Sequence, residues 1–270
     1  MLDLWRVEWF KLKNSTYFWV LAGLFLLFMV SLPLSVQYFL KQLAIEGADF
    51  RGLDPTDLPV FDFVDIWQNL TYSYKYFSIF LGFIIIISIN SEYSHGTFRQ
   101  HVMDGWSPAK TISAKFSIIV TLSFLVTIVV VLVGLIVGFL YSPVTDIGSI
   151  MAHVGFIPAY FLHLVAFQSL CMLIAMLIKR SGITIALIIF WVYMIEPIIS
   201  TLLTYWLEIP WLAGLLPFEA VGNMIANPFP KFILRETQNY VSIGDLGIHL
   251  LYMGVIIWAC YALMTKRDVC

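Results

Sequence analysis

Two charged side chains fall where a chain this apolar tolerates them least. Glu196, in "FWVYMIEPIIS" and followed by Pro197, lies near the middle of one long greasy segment, and Lys75, in "TYSYKYF", lies inside another. A carboxylate or an ammonium in hydrocarbon is costly, so such residues mark ion paths, proton relays or charge pairs. At about 1.5 Å of rise per residue both sit roughly 20 Å deep, counted from the ends at Asn90 and Ile183. The two pair if their helices touch. Otherwise Lys75 snorkels to the interface, and Glu196 is protonated or faces a wet cavity.

Covalent and metal chemistry has no comparable signal. The sequence contains no G-x-x-x-x-G-K-[ST], so it does not cradle ATP phosphates in the P-loop manner, and no H-E-x-x-H. His95, His101, His153, His163 and His249 form no spaced ligand set, and no Ser or Cys nucleophile has a recognisable base beside it. Cys171, Cys260 and Cys270 show neither CxxC nor metal-like spacing. The chain is therefore not expected to be an enzyme by itself, and ATP-driven work needs a partner chain.

The elements that position Glu196 and Lys75 follow from composition. Of 270 residues, 60% are hydrophobic and only 12% charged, and the mean hydropathy is +0.89. A soluble chain of this length has too little interior for so much apolar surface, whereas lipid tails accept it. The reading is an all-α integral membrane protein, a single transmembrane domain over 1–270 with six spans at about 17–40, 66–90, 116–141, 157–178, 183–206 and 246–264. The first apolar run is too long for a cleaved leader, and no small-residue cleavage site follows it. Net charge is −2, which gives no footing for a nucleic-acid partner.

Orientation follows from Lys and Arg. With both termini cytoplasmic, ten of the fifteen basic residues fall inside and only Lys41, Arg51, Lys231 and Arg235 outside. In "MLDLWRVEWFKLKNS", Leu2, Trp5, Trp9 and Leu12 recur at helical spacing, with Asp3, Arg6 and Lys13 elsewhere on the wheel. Residues 1–14 are thus expected to form an amphipathic helix in the cytoplasmic membrane interface. The outer segment 207–245 is apolar but broken by Pro210, Pro217, Pro228 and Pro230, which forbids one spanning helix and leaves short re-entrant or interfacial pieces. Gly134-x-x-x-Gly138 in the third span allows close approach of another element, within one subunit or between two. Tyr72, Tyr74, Tyr76 and Phe77 suit a route for an apolar or lipid-like substrate, and equally suit interface anchoring.

Between the second and third spans lies "NSEYSHGTFRQHVMDGWSPAK", polar and rich in turn formers. Thr97 and Gln100 make a capping box, Phe98 and Val102 share a face, and Gly105 follows Asp104 where a helix stop wants glycine. Ser107-Pro108 then supplies an N-cap and a first-position proline for the next helix. This predicts a two-turn cytoplasmic helix over 97–104, either a docking element or a well-capped loop.

The stretch "SEYSHGTFRQHVMDGWSPAKTISAK" resembles the cytoplasmic segment of ABC-2 type transporter permeases in Glu92, Gly96-Thr97, the helix through Asp104, Ser107-Pro108 and Lys115. The closing "MTKRDVC", with Lys266, Arg267 and Asp268, and the segment "LLPFEAVGNMIANP" are also similar to that family. The resemblance implies a permease subunit, an exporter rather than an importer, in a bacterial inner membrane. It implies two partners besides lipid: an ABC ATPase subunit, which binds the ATP and Mg, and a second permease. It also implies a coupling helix at 97–104, with Glu92, Thr97, Phe98, Arg99, Gln100, Val102 and Asp104 facing the ATPase and no cofactor in this chain. Two other classes remain open on the residues alone: a secondary transporter using Glu196, and a membrane-embedded enzyme or assembly factor.

Overall fold

The computed structural model describes residues 2–47, 54–96, 107–230 and 238–266. The predicted coupling helix, 97–104, lies outside the described residues, and so do Thr97, Phe98, Arg99, Gln100, Val102 and Asp104. Helix α1 (Leu2–Lys13) precedes α2 (Thr16–Ile45), the first span. The second span, Ile66–Ser94, is α3 (Ile66–Lys75) and α4 (Ile79–Ser94) joined by a 3₁₀ turn at Tyr76–Ser78. Then come α5 (Pro108–Tyr141), the short α6 (Ile147–Met151), α7 (Phe156–Ile178) and α8 (Ser181–Phe190). The fifth span runs on through a π-helical turn at Trp191–Ile195, α9 (Glu196–Thr201) and a second π turn at Leu202–Trp206. After the fifth span the chain folds as α10 (Pro210–Ala213) and α11 (Pro217–Gly222), and α12 (Ile243–Lys266) closes the bundle.

Six helices are long and apolar enough to cross a membrane, and every described regular element is helical. Backbone polar groups find no water in hydrocarbon, so each span satisfies its own N–H and C=O groups internally. The start of α5 matches its sequence signal: Ser107 is the N-cap, its side chain accepts from the Lys110 N–H, and Pro108 occupies the first turn. Helix α7 is the most enclosed and is contacted by α3, α4, α5 and α12, whereas the first, fifth and sixth spans show most of their surface on the isolated chain.

Three local departures have identifiable causes. Pro33 lies inside α2 and has no N–H for the Met29 carbonyl four residues before it. The buried Tyr74 hydroxyl donates to that carbonyl at 2.6 Å, so the group freed by proline is satisfied from α3. In the fifth span Pro197 also withholds an N–H, and the Glu196 N–H reaches back five residues to the Trp191 carbonyl. Helix α7 stops at Lys179, whose left-handed backbone (φ 58°) turns the chain straight into α8.

Gly134 and Gly138 serve packing within the chain. A Cβ on Gly134 would come within 2.6 Å of the Trp67 ring, and one on Gly138 would strike Phe63. The two rings seat on the glycine stripe at the start of the second span, where Trp67 Nε1 also donates to Ile150 O at 2.7 Å.

Tyr74→Phe removes the one side chain bound to the Met29 carbonyl among the described residues. The expected loss is about 1–3 kcal/mol, the cost of a buried unsatisfied carbonyl, read as a lower unfolding midpoint in detergent. An unchanged midpoint means that the carbonyl finds another donor.

Candidate functional site

Helix α1 is fixed along α5 and the start of α2 by its aromatic face. Trp5 stacks on Trp9 with centroids 5.9 Å apart, Trp9 meets the edge of Phe18, and Trp5 Nε1 donates to Thr121 Oγ1 at 3.0 Å. Leu12 is buried. An acid lies on the same face: Glu8 is only 5% exposed.

Glu8 meets Lys115, in the third turn of α5, and Glu92, in the last turn of α4, both buried as well. The Lys115 ammonium donates to Glu8 Oε2 and to Glu92 Oε1. Half-exposed Lys11 adds a second ammonium, 3.3 Å from Glu8 Oε1 and 3.2 Å from Glu92 Oε1. Two carboxylates and two ammonium groups thus form a charge-balanced knot between three helices. The neighbouring void is only about 10 Å³, the lower limit for a single water, so the knot is closely packed. Burial opposes ionisation of Glu8, but Lys115 and Lys11 outweigh it and hold the carboxyl below its ordinary 4.5.

The position of the knot matters more than its strength. Glu92 is two residues from the end of α4, and Lys115 follows closely on the start of α5, so both stems of the 97–106 connection are tied to each other and to α1. At the same end Lys179 Nζ lies 5.0 Å over the Tyr93 ring, bringing the α7–α8 turn against α4. This arrangement holds no nucleophile or acid–base relay. It ties the two stems of the connection and α1 into one bonded unit.

Lys75 and Glu196 are brought to one cavity but not to each other. Glu196 Oε1 accepts the backbone N–H groups of Phe218 and Glu219, both at 2.7 Å, and Oε2 accepts Trp191 Nε1 at 2.6 Å. The ion pair open on sequence grounds is replaced by a carboxylate that binds the outer segment to the fifth span. Lys75 Nζ lies 3.4 Å from the carbonyls of Gly222 and Ile225 and 4.3 Å over the Tyr72 ring.

Sequence reasoning singled out Glu92 and Lys115 but missed Glu8 and Lys11. The available signal was an acid three residues after Trp5 and four before Leu12, on the stripe read as apolar. It also missed the donors around Glu196, since Phe218 and Glu219 lie in a segment treated only as an outer loop.

A six-span helical bundle with a charged knot at the base of one inter-span connection is the architecture of a multi-pass membrane protein, not of a soluble enzyme. The chain belongs to the ABC-2 family: the model described as ABC-2 family transporter protein matches residues 4–197, from α1 through the Glu196-Pro197 step. Membership makes it an ABC transporter permease and implies association with an ABC ATPase subunit. Comparison with curated proteins returns no match.

Lys115→Met removes the buried one of the two ammonium groups that Glu8 and Glu92 share, leaving half-exposed Lys11 to compensate both, and up to about 3–5 kcal/mol of stability should go with it. Replacing all three groups (Glu8→Leu, Glu92→Leu, Lys115→Met) should restore much of that loss, because no buried charge remains unpaired. Denaturant titrations in detergent distinguish the two; a triple variant as weak as the single would show that the charges are not the cause. The pH dependence has a defined sign. Because the folded Glu8 carboxyl lies below 4.5, its contribution is complete above pH 4.5 and is lost as pH falls through the lower folded value. Glu8→Gln should flatten that acid limb.

Proposed function

We propose that this chain is the membrane subunit of an ATP-driven exporter in a bacterial inner membrane, acting as a dimer of permeases that carries two ATPase subunits on the cytoplasmic face. The ATPases bind and hydrolyse ATP with Mg, since this chain has no P-loop. Residues 97–104 form the coupling helix. Phe98 and Val102 supply apolar contact to the ATPase, and Arg99 and Asp104 fix its orientation through complementary charge.

The observation that carries this reading is the knot of Glu8, Lys115 and Glu92. A bare connection between two spans needs no buried charges at its stems. Here the two stems and α1 are bound into one unit, so a push on 97–104 by closing ATPases tilts α4 and α5 together and drags the interfacial helix with them. The positive-inside bias puts that end of the bundle in the cytoplasm. Glu196 spends both carboxylate oxygens on donors of its own chain, which weighs against a proton- or ion-coupled secondary transporter built on that residue.

Topology is the first test. Reporters fused after Cys270 and inserted at Gly105 should read as cytoplasmic, and one at Asp54 as external. An external signal at Gly105 overturns the orientation and with it the placement of the ATPase.

Phe98→Ala should weaken recovery of the ATPase partner by roughly 5- to 150-fold in affinity, the equivalent of about 1–3 kcal/mol for an interface anchor. Arg99→Glu should uncouple hydrolysis from transport while the chain still inserts. Normal complex recovery and normal permease-stimulated ATPase activity in both variants would make 97–104 a capped loop without a coupling role.

A further inference from the structure

The cavity between the second span, α7, the fifth span and α11 has a volume of about 240 Å³ and is lined by Lys75, His163, Tyr193, Glu196, Phe218 and Glu219 among others. Its charges are not equivalent. Glu196 is committed to three donors, as described above. Among the described residues the Lys75 ammonium has only two long carbonyl contacts at 3.4 Å and two aromatic faces, Tyr72 at 4.3 Å and Tyr76 at 5.5 Å. Glu219 lines the same cavity, and neither it nor Lys75 closes a salt bridge within 4.0 Å among the described residues. His163 is oriented away from this duty, with Nδ1 at 3.0 Å from Val221 O and Nε2 at 3.5 Å from Ser78 Oγ. The lining therefore offers an undercommitted cation and an undercommitted carboxylate beside aromatic surface.

The cavity also reaches the outside of the bundle sideways. Tyr76 and Tyr193 stand on its rim at 46% and 47% exposure, joined by a 2.7 Å hydrogen bond from the Tyr193 hydroxyl to the Tyr76 carbonyl. Both belong to irregular stretches, the 3₁₀ turn at Tyr76–Ser78 and the π turn at Trp191–Ile195, and π turns recur at functional sites. In a membrane-spanning chain that rim faces lipid or a neighbouring subunit. At 240 Å³ the space is below the roughly 300–1,000 Å³ that holds a drug-sized ligand, so it has room for a headgroup but not for a whole amphiphile.

We propose that this cavity binds a zwitterionic group of the phosphoethanolamine type, its phosphate against Lys75 and its ammonium against Glu219, carried by an amphiphile that enters from the bilayer past Tyr76 and Tyr193. The inference deepens the permease reading by giving it a ligand class, and it rests on that reading for access from the membrane. A purely anionic headgroup meets Glu219 as a like charge, and a purely cationic one meets Lys75. Only a group carrying both signs satisfies both side chains.

The test is native mass spectrometry of the purified chain in detergent, titrated with dihexanoyl phosphatidylethanolamine, dihexanoyl phosphatidylglycerol and free phosphoethanolamine. The ethanolamine lipid should bind saturably and at least tenfold more tightly than the glycerol lipid. Glu219→Gln should erase that preference, Lys75→Met should weaken binding of both lipids at least tenfold, and Lys75→Arg should keep both affinity and preference. Should Lys75→Met fail to fold, Glu219→Gln carries the result, because no described hydrogen bond depends on its side chain. Free phosphoethanolamine binding as tightly as the lipid supports the charge chemistry with a soluble source; binding tenfold weaker supports it with a lipid source. Equal affinity for the two lipids, or a preference unchanged in Glu219→Gln, overturns the proposal. No ATP or ATPase enters this assay, so its failure leaves the coupling reading standing, and loss of the ATPase partner leaves this site untouched.

Discussion

A chain that crosses hydrocarbon has no water on which to leave a backbone N–H or C=O, and this constraint governs the departures from regular helix in the structure. Regular spans meet it by themselves. Where proline removes a donor, the bundle supplies one from elsewhere: Tyr74 reaches the Met29 carbonyl freed by Pro33. Where the chain after the fifth span folds as α11, its first free N–H groups are taken by the Glu196 carboxylate. Tyr74 and Glu196 are thus responses to backbone breaks, and Glu196 lines the cavity beside one of them.

The same accounting explains the knot at the other end. Glu8, Lys11, Glu92 and Lys115 come from three helices, and taking any one alone out of water is expensive. Together they are neutral and mutually bonded. Apolar packing alone would let α1 slide along α5. Directional ammonium–carboxylate bonds fix its register, and they do so next to the connection through which an ATPase acts in the proposed mechanism.

Much of the fold was legible in the sequence because hydropathy over a span-length window reports directly on the solvent. The number of spans, the cap at Ser107 with Pro108, and the broken outer segment were all readable. The knot was only half readable. Glu92 and Lys115 stood out through family resemblance, whereas Glu8 looked like one more polar residue on an amphipathic helix, since periodicity does not say which side chains a tertiary neighbour will bury. The fate of Lys75 and Glu196 was unreadable for a related reason. Depth along two helices suggested a pair, but the partners came from a third segment, and distance in sequence gives no hint that residues 217–222 fold back between them. Gly134 and Gly138 likewise pointed to a close approach without revealing that two aromatic rings, not a helix backbone, make it.

The π turn before Glu196 has a geometric meaning of its own. A π turn holds one residue more than the α turn it replaces, so the residues after it are displaced around the axis by one α-helical step, about 100°. With the five residues Trp191–Ile195 wound as ordinary α-helix, the carboxylate of Glu196 would be directed to a different quarter of the bundle, away from Phe218 and Glu219. The extra residue acts as a phase shifter: it leaves the two halves of the span in different rotational settings, the first seated against α4 and α7 and the second turned to hold the outer segment. A second such turn at Leu202–Trp206 applies the shift again before the chain leaves the span.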